Sequence, residues 1–253
     1  MITNIMSPLL TKLDNKKKFS PYELPEYLVK HYWWAYLSPV GVKFFDHGFM
    51  VNRILWGSYH AIAQDAVNII SSQSTQKVAG ISSAYGEFYP ILAKQRQVEN
   101  LYLFDIAPIQ IKQMQRKIPA HVIDKKCQFF ISDAEQIALV NQSVNTSVLF
   151  FLLHELPKPV RGNVLAQAIR ITKAGGRLVI ADYAKFNGEH LFHRNKVFRS
   201  VFEKMEPFLA NFWCCNLMAE IIGHAKSQGR RVKLTHEQYY FNGFYRLLEL
   251  TIE

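Results

Sequence analysis

The stretch from Thr146 to Tyr183, TSVLFFLLHELPKPVRGNVLAQAIRITKAGGRLVIADY, leaves this chain few folds to choose from. Val148 to Leu153 is an unbroken apolar run, as a strand covered on both faces requires. His154 and Glu155 close it, and Pro157 and Pro159 hold off a helix until about Val160. Val164, Leu165, Ala168, Ile169 and Ile171 then recur at near-helical spacing, so a helix with one buried face is expected over Val160 to Thr172. Gly175 and Gly176 are expected to end that helix and turn the chain, and Arg177 to Ala181 is the next buried strand. Strand, crossover helix and strand make a right-handed parallel unit. In open sheets of this kind ligands sit beyond the carboxyl ends of the strands. That rule puts His154, Glu155, Asp182 and Tyr183 at the working edge.

The same alternation runs upstream. Val78 to Ser82 reads as a strand leading into the loop Ser83-Ala84-Tyr85-Gly86-Glu87, followed by a helix through Pro90 to Arg96. A second strand, Leu101 to Phe104, ends at Asp105, and Ala107 to Lys117 is helical. Cys127 to Ile131 is a third strand, ending at Ser132-Asp133. Strand, glycine-containing turn, helix, strand and then an acid roughly 20 residues on is the layout of a nucleotide-binding unit. Ser82 and Ala84 stand where such a loop ordinarily has glycines, so the loop is weak support by itself. Three apolar strands in succession ending in Asp105, Asp133 and His154-Glu155 are harder to dismiss as exposed turns.

Toward the C-terminus a helix is expected over Phe192 to Phe202, and one long helix through Phe208 to Ile222. Arg230 to Thr235 and Phe244 to Thr251 form an antiparallel pair across an aromatic turn, Tyr239 to Gly243. Toward the N-terminus, Pro21 to Tyr59 carries Tyr27, Tyr32, Trp33, Trp34, Tyr36, Phe44, Phe45, Phe49 and Trp56, far above the 13% aromatic average. Helices there are expected to break at Pro39-Val40-Gly41 and at Gly57, with a further helix over Ala61 to Ser71. Aromatic surface of this extent must be buried, against the rest of the chain or around a flat apolar ligand. The expected class is α/β: a doubly wound, mostly parallel sheet with an antiparallel C-terminal hairpin and an aromatic-rich helical N-terminal lid. Residues 1–20 are expected to be a flexible basic arm containing Lys16, Lys17 and Lys18, residues 21–72 the lid, and residues 73–253 the ligand-binding domain.

Charge narrows the partners. The chain has 30 Lys+Arg against 20 Asp+Glu, a net charge of +10, which favours nucleic acid, phospholipid head groups or an acidic ligand. Three cysteines, two of them adjacent, make neither a disulfide framework nor a metal-ligand spacing, as expected in a reducing compartment. No secretory signal is read at the N-terminus, and no run reaches the roughly 18 apolar residues of a membrane span. The expectation is a cytoplasmic protein, peripheral on the cytoplasmic membrane face if it touches lipid at all.

The alternating strands and helices, the strand-end acids and the closing hairpin resemble the class I S-adenosylmethionine-dependent methyltransferases over about residues 60 to 253. A closer match lies in HYWWAYLSPVGVKFFDHGFMVNRILWGSYHAI, VAGISSAYGEF, LFDIAPIQI, LFFLLHELP and YYFNGFYRLL. These runs are similar to the rhodoquinone biosynthesis methyltransferase-like family, whose relatives act on ubiquinone. The resemblance implies replacement of a ring methoxy group by an amino group, with S-adenosylmethionine as nitrogen donor and a divalent metal such as manganese assisting. It implies that the Tyr85-Gly86-Glu87 loop lies under the methionine part of the cofactor, that Asp105 takes the ribose hydroxyls and that Asp133 accepts from the adenine amino group. Tyr59, Ser82, Tyr85, Gly86, Ile106, Ala134 and Phe150 complete the implied cofactor-binding set.

The residue chemistry is consistent with these roles. An ionised carboxylate bonds strongly to paired hydroxyls. His154 is the candidate general acid/base because imidazole titrates near neutrality. Glu155 would assist it, or hold a metal ion with water or with Asp133. A quinone ring with an isoprenoid tail needs an aromatic-lined entrance, which the lid supplies. The main alternative is a conventional methyltransferase acting on a small aromatic or lipid-like molecule, which needs no metal. A nucleic-acid methyltransferase is disfavoured, because Leu153-His154-Glu155-Leu156 is not the Asp/Asn-Pro-Pro-aromatic signature of base-amino modification. A non-catalytic partner protein would be revealed by failure to bind S-adenosylmethionine.

Overall fold

The computed structural model describes residues 24–74 and 76–253. The Lys16 to Lys18 cluster, the rest of the basic arm, Pro21 and Tyr22 lie outside the described residues. Seven strands form one sheet in the order β3-β2-β1-β4-β5-β7-β6. They are β1 (Gln76–Ile81), β2 (Val98–Asp105), β3 (Cys127–Ile131), β4 (Val144–Phe150), β5 (Thr172–Tyr183), β6 (Val232–Tyr240) and β7 (Tyr245–Ile252). β1 to β5 are mutually parallel, and β7 slots antiparallel between β5 and β6. The expected doubly wound sheet and closing hairpin are both present.

Chain order reverses between β1 and β4, and that crevice is where such sheets bind ligands. The register aligns the working edge. Ile81 pairs with Phe104 and Leu149, Asp105 with Ile131, and Phe150 with Ala181. Ser82, Asp105, Phe150 and Ala181 therefore fall on one line, with Asp182 one residue beyond it. The central strands are apolar in their interior, with Val78, Leu101, Val148, Leu149, Leu178 and Val179 at 0% exposure. Each such side chain contributes about 1.5–3 kcal/mol of hydrophobic stabilisation.

Helices pack around this sheet. α1 (Pro39–Phe45), α2 (Gly48–Ile54) and α3 (Tyr59–Ser71) precede it, behind a π-helix over Leu28–Leu37. α4 (Phe88–Ala93), α5 (Pro108–Lys117), α6 (Ala120–Lys126) and α7 (Lys158–Ile171) connect the parallel strands. α8 (Leu191–Arg194), α9 (Lys196–Met205), α10 (Leu209–Cys214) and α11 (Leu217–Ser227) lead to the final hairpin.

Several sequence expectations need correction. Pro159 does not delay α7: the helix starts at Lys158 with proline in its first turn, where no amide donor is needed. The helix break expected at Pro39 is present, between the π-helix and α1, and Pro39 also opens α1 with Ser38 as the cap. Gly175 and Gly176 do not end α7, which passes straight into β5 at Thr172. They lie within β5 beside an irregular register, with Gly175 at φ +73°. The two long C-terminal helices are each broken in two, because Asn195 and Asn216 cap new helices with their side chains. α6 is a helix beyond those the sequence pattern predicts.

One close approach fixes the lid. A Cβ on Gly41 would sit 1.8 Å from the Trp34 carbonyl oxygen, so α1 can pack on the π-helix only without a side chain there. Gly41→Ala is expected to cost about 1–3 kcal/mol as an overpacked contact. For a chain of this size that lowers the melting midpoint by ~2–4 °C per kcal/mol. An unchanged midpoint in calorimetry would show that α1 does not depend on this contact.

Candidate active site

The loop after β1 is shaped from outside itself. Gly86 has φ +79°, and a Cβ on it would meet the Tyr59 hydroxyl at 2.4 Å. That hydroxyl donates to the Tyr85 carbonyl (3.1 Å) and accepts from the Phe88 amide (2.9 Å). The Gly86 amide donates to Asp46 Oδ1 (2.9 Å), and Lys117 Nζ donates to both Asp46 (2.6 Å) and the Gly86 carbonyl (2.7 Å). Ser82 takes φ +73°, a conformation that ordinarily favours glycine. Gly86 is consequently not a lining residue of the cavity, whereas Ser82, Ser83, Ala84 and Tyr85 are. Its part in the structure is to hold the loop whose neighbouring residues line the cavity. Tyr59 lines the cavity too, but its hydroxyl is committed to the loop backbone.

Asp105, at the end of β2, receives the Ser83 amide (2.7 Å) and the Ala107 amide (2.8 Å). Burial pushes its carboxyl up to about 6, against the opposite pull of those donors. Ile106, Asp133, Ala134 and Phe150 line the same cavity, of about 240 Å³, as do His154 and Glu155. Apart from Gly86, every sequence-expected site residue borders this one space.

On the other side of the switch crevice, Phe151 leaves β4 at φ +53° and the chain turns into a short 3₁₀ segment, Leu153–Glu155. Asp182 at the end of β5 holds that segment. Its Oδ2 receives the Leu153 amide (2.9 Å), and its Oδ1 lies 2.8 Å from His154 Nδ1. A proton on Nδ1 shared with Asp182 leaves Nε2 free toward the cavity, 3.9 Å from Glu155. Tyr183 packs edge-on against the imidazole at 4.7 Å. Glu206, between α9 and α10, completes the group: one ligand atom each from His154, Glu155 and Glu206 lie within 4.8 Å of one another. Sequence reasoning missed Glu206, and Asp133 does not belong to this cluster, so the anticipated Asp133–Glu155 pairing is replaced by Glu206–Glu155.

The electrostatics are unbalanced. Burial raises the pKa of Glu155, with Glu206 adding to the rise, and burial likewise raises that of Glu206. Burial of the His154 ring pulls its pKa down, but Asp182, Glu206 and Glu155 outweigh it and lift the value to about 9. No Lys or Arg lines the cavity among the described residues. Three carboxylates thus surround one imidazole. A donor set of one imidazole with two carboxylates is one that could hold a divalent cation, whose charge would draw both carboxyls into their ionised form. Asp182 behind His154 is the usual outer partner of a ligating histidine.

The lid closes over both carboxylates. Tyr32 donates to Glu206 Oε2 (3.0 Å) and Tyr36 donates to Glu155 Oε1. Tyr36 also stacks on Tyr85 at 5.1 Å and 7°, and Tyr85 donates to the Ala35 carbonyl at 2.5 Å. Tyr27, Tyr32 and Tyr36 all line the cavity, at spacings of five and four residues. An α-helix would rotate Tyr27 about 140° away from Tyr32. The wider π winding, with Ser38 N–H bonding back to Trp33, brings the three rings to one face. That spacing was visible in the sequence as a departure from helical period.

Residues 78–176 match a family model described as a methyltransferase domain. No curated protein matches the chain in sequence. Among solved structures, magnesium protoporphyrin IX methyltransferase from Synechocystis PCC 6803, with bound S-adenosylmethionine, superposes at a TM-score of 0.60 and 13% identity. The match covers 91% of this chain and 98% of that one. The fold is that of the class I methyltransferases. An O-methyltransferase family protein from Burkholderia thailandensis gives 0.53 at 16% identity, over 83% of this chain and 62% of that one. The N-methyltransferase NodS from Bradyrhizobium japonicum WM9 gives 0.50 at 13% identity, over 77% and 94%. By domain match and architecture the chain is methyltransferase-like, a transferase in class.

Proposed function

We propose that the protein is an S-adenosylmethionine-dependent transferase that converts a ubiquinone-type quinone to its amino counterpart, replacing a ring methoxy group by an amino group. One observation carries this reading. A single cavity joins the strand-end acids suited to a nucleoside, Asp105 and Asp133, to the His154–Glu155–Glu206 cluster beneath a wall of tyrosines. Asp105 would take the ribose hydroxyls and Asp133 the adenine amino group, with Ser82 to Tyr85 alongside the methionine part. The flat ring would lie against Tyr36 and Tyr85, and the tail would leave past the lid.

An amine entering a ring sheds protons, and a departing methoxy group takes one up. His154 is the residue placed to move them: Asp182 fixes its ring through Nδ1 and leaves Nε2 toward the cavity. Glu155 and Glu206, with water, would hold a divalent ion such as manganese and leave His154 Nε2 to the proton transfers, and a bound ion would polarise a ring oxygen as a Lewis acid. Tyr32 and Tyr36 orient those carboxylates through their hydroxyls.

A conventional methyltransferase for a small aromatic or lipid-like substrate is the second reading. The methyltransferase-domain match favours it, and His154 in its deprotonated form would be its base. Purified protein incubated with S-adenosylmethionine and ubiquinone, with manganese or with chelator, separates the two by mass spectrometry of the products. An aminoquinone formed only with metal is the expected result. A methylated product, unaffected by chelator, would assign the conventional reaction instead.

A further inference from the structure

Among the described residues, α9 is the one helix without a buried side chain. Its apolar residues are nonetheless ordered: Val197 (71% exposed), Val201 (51%) and Met205 (51%) follow at four-residue steps, with Phe198 (40%) beside them. A stripe of this kind facing water marks a binding surface.

The stripe continues at both ends. At the first turn of α9, Phe198 meets Phe192 at 5.1 Å, and Phe192 meets Trp56 at 4.7 Å. At its last turn Met205 lines the cavity, as do Trp34 and Ile54, which are themselves exposed. The apolar surface therefore leads to the cavity mouth. Trp33, Phe44 and Phe49 add exposed aromatic area on the lid elements.

The charges on these elements are predominantly positive. Lys30, Lys43, Arg53, Arg194, Lys196 and Lys204 are exposed on the π-helix, α1, α2, α8 and α9. The one acid within those five elements is Glu203, and it lies 3.7 Å from Arg199. We propose that this face docks on an anionic lipid bilayer, with α9 lying in the head-group plane and the cavity mouth turned to the acyl chains. No described helix is long and apolar enough to cross a membrane, so the contact is interfacial. A second copy of the chain is a poorer occupant, because a self-complementary interface would set these cations against each other. The proposal goes beyond the reaction above and does not depend on which group is transferred.

The full chain is mixed with vesicles of phosphatidylcholine, alone or with roughly one third phosphatidylglycerol, with and without brominated acyl chains. The expected result is binding to the anionic vesicles and quenching of tryptophan fluorescence by the brominated chains. Trp33, Trp34 and Trp56 are the exposed reporters. Val197→Glu with Val201→Glu should lower vesicle partitioning at least about tenfold at an unchanged melting midpoint. The proposal is overturned if the double variant partitions like the parent, which would assign lipid binding to another part of the chain. It is equally overturned if anionic vesicles bind without bromine quenching or not at all. A concentration-dependent dimer abolished by the double variant would assign the face to self-association instead.

Discussion

His154→Ala is expected to lower turnover by at least about a hundredfold, the usual scale for a lost general acid/base. S-adenosylmethionine affinity should stay within about twofold, since the residues proposed to hold the nucleoside, Asp105 and Asp133, are not in the His154 cluster. The reasoning is geometric. Asp182 spends both oxygens on Leu153, His154 and Tyr183, so it fixes the imidazole and its tautomer. Nε2 is thereby the ring nitrogen turned toward the cavity. Single-turnover rates and calorimetric titration of the cofactor on the same sample separate the two effects. His154→Gln keeps polar bulk in the site and should be equally inactive. Normal turnover in both variants would remove His154 from the chemistry.

Asp105 should show its effect in the cofactor instead. Asp105→Ala is expected to weaken S-adenosylmethionine binding at least tenfold, about 1.4 kcal/mol. The parent protein carries an independent check in its pH dependence. The Asp105 carboxyl is raised from 3.8 to about 6, so folding favours its protonated form. That stability contribution is fully present below pH 3.8 and is lost as pH rises through 6. Accepting ribose hydroxyls requires the opposite, ionised form. Cofactor affinity should therefore be flat above pH 7 and fall about tenfold per pH unit once Asp105 is largely protonated. The slope should vanish in Asp105→Ala. An affinity independent of pH in the parent, together with an unaffected variant, would place the nucleoside elsewhere.

The parts of this molecule that the sequence revealed are those governed by periodic burial. Apolar strands ended by Asp105, Asp133 and His154-Glu155 are legible because strand-end position follows from the alternation of strand and helix alone. Local chemistry was also present where it was passed over. Asn195 and Asn216 are good helix caps, and Pro159 is a good first-turn residue. Gly175-Gly176 misled because a glycine pair suits a strand irregularity as well as a helix end. Glu206 was illegible for a different reason. It lies between two short helices, on no strand end, and reaches the cluster only through tertiary packing. Asp46 and Lys117 form a buried pair that local sequence does not announce either.

That pair bears on how freely the parts could be exchanged between proteins. A nucleotide loop with three glycines carries the instructions for its own shape. Here the shape of Ser82 to Glu87 is dictated by Tyr59 and Asp46 from upstream and by Lys117 from downstream. The instructions have been exported, so the loop is not a portable cassette. Grafted into another sheet it would lose its conformation, and a chain cut down to residues 78–176 would keep the loop's letters without its grammar.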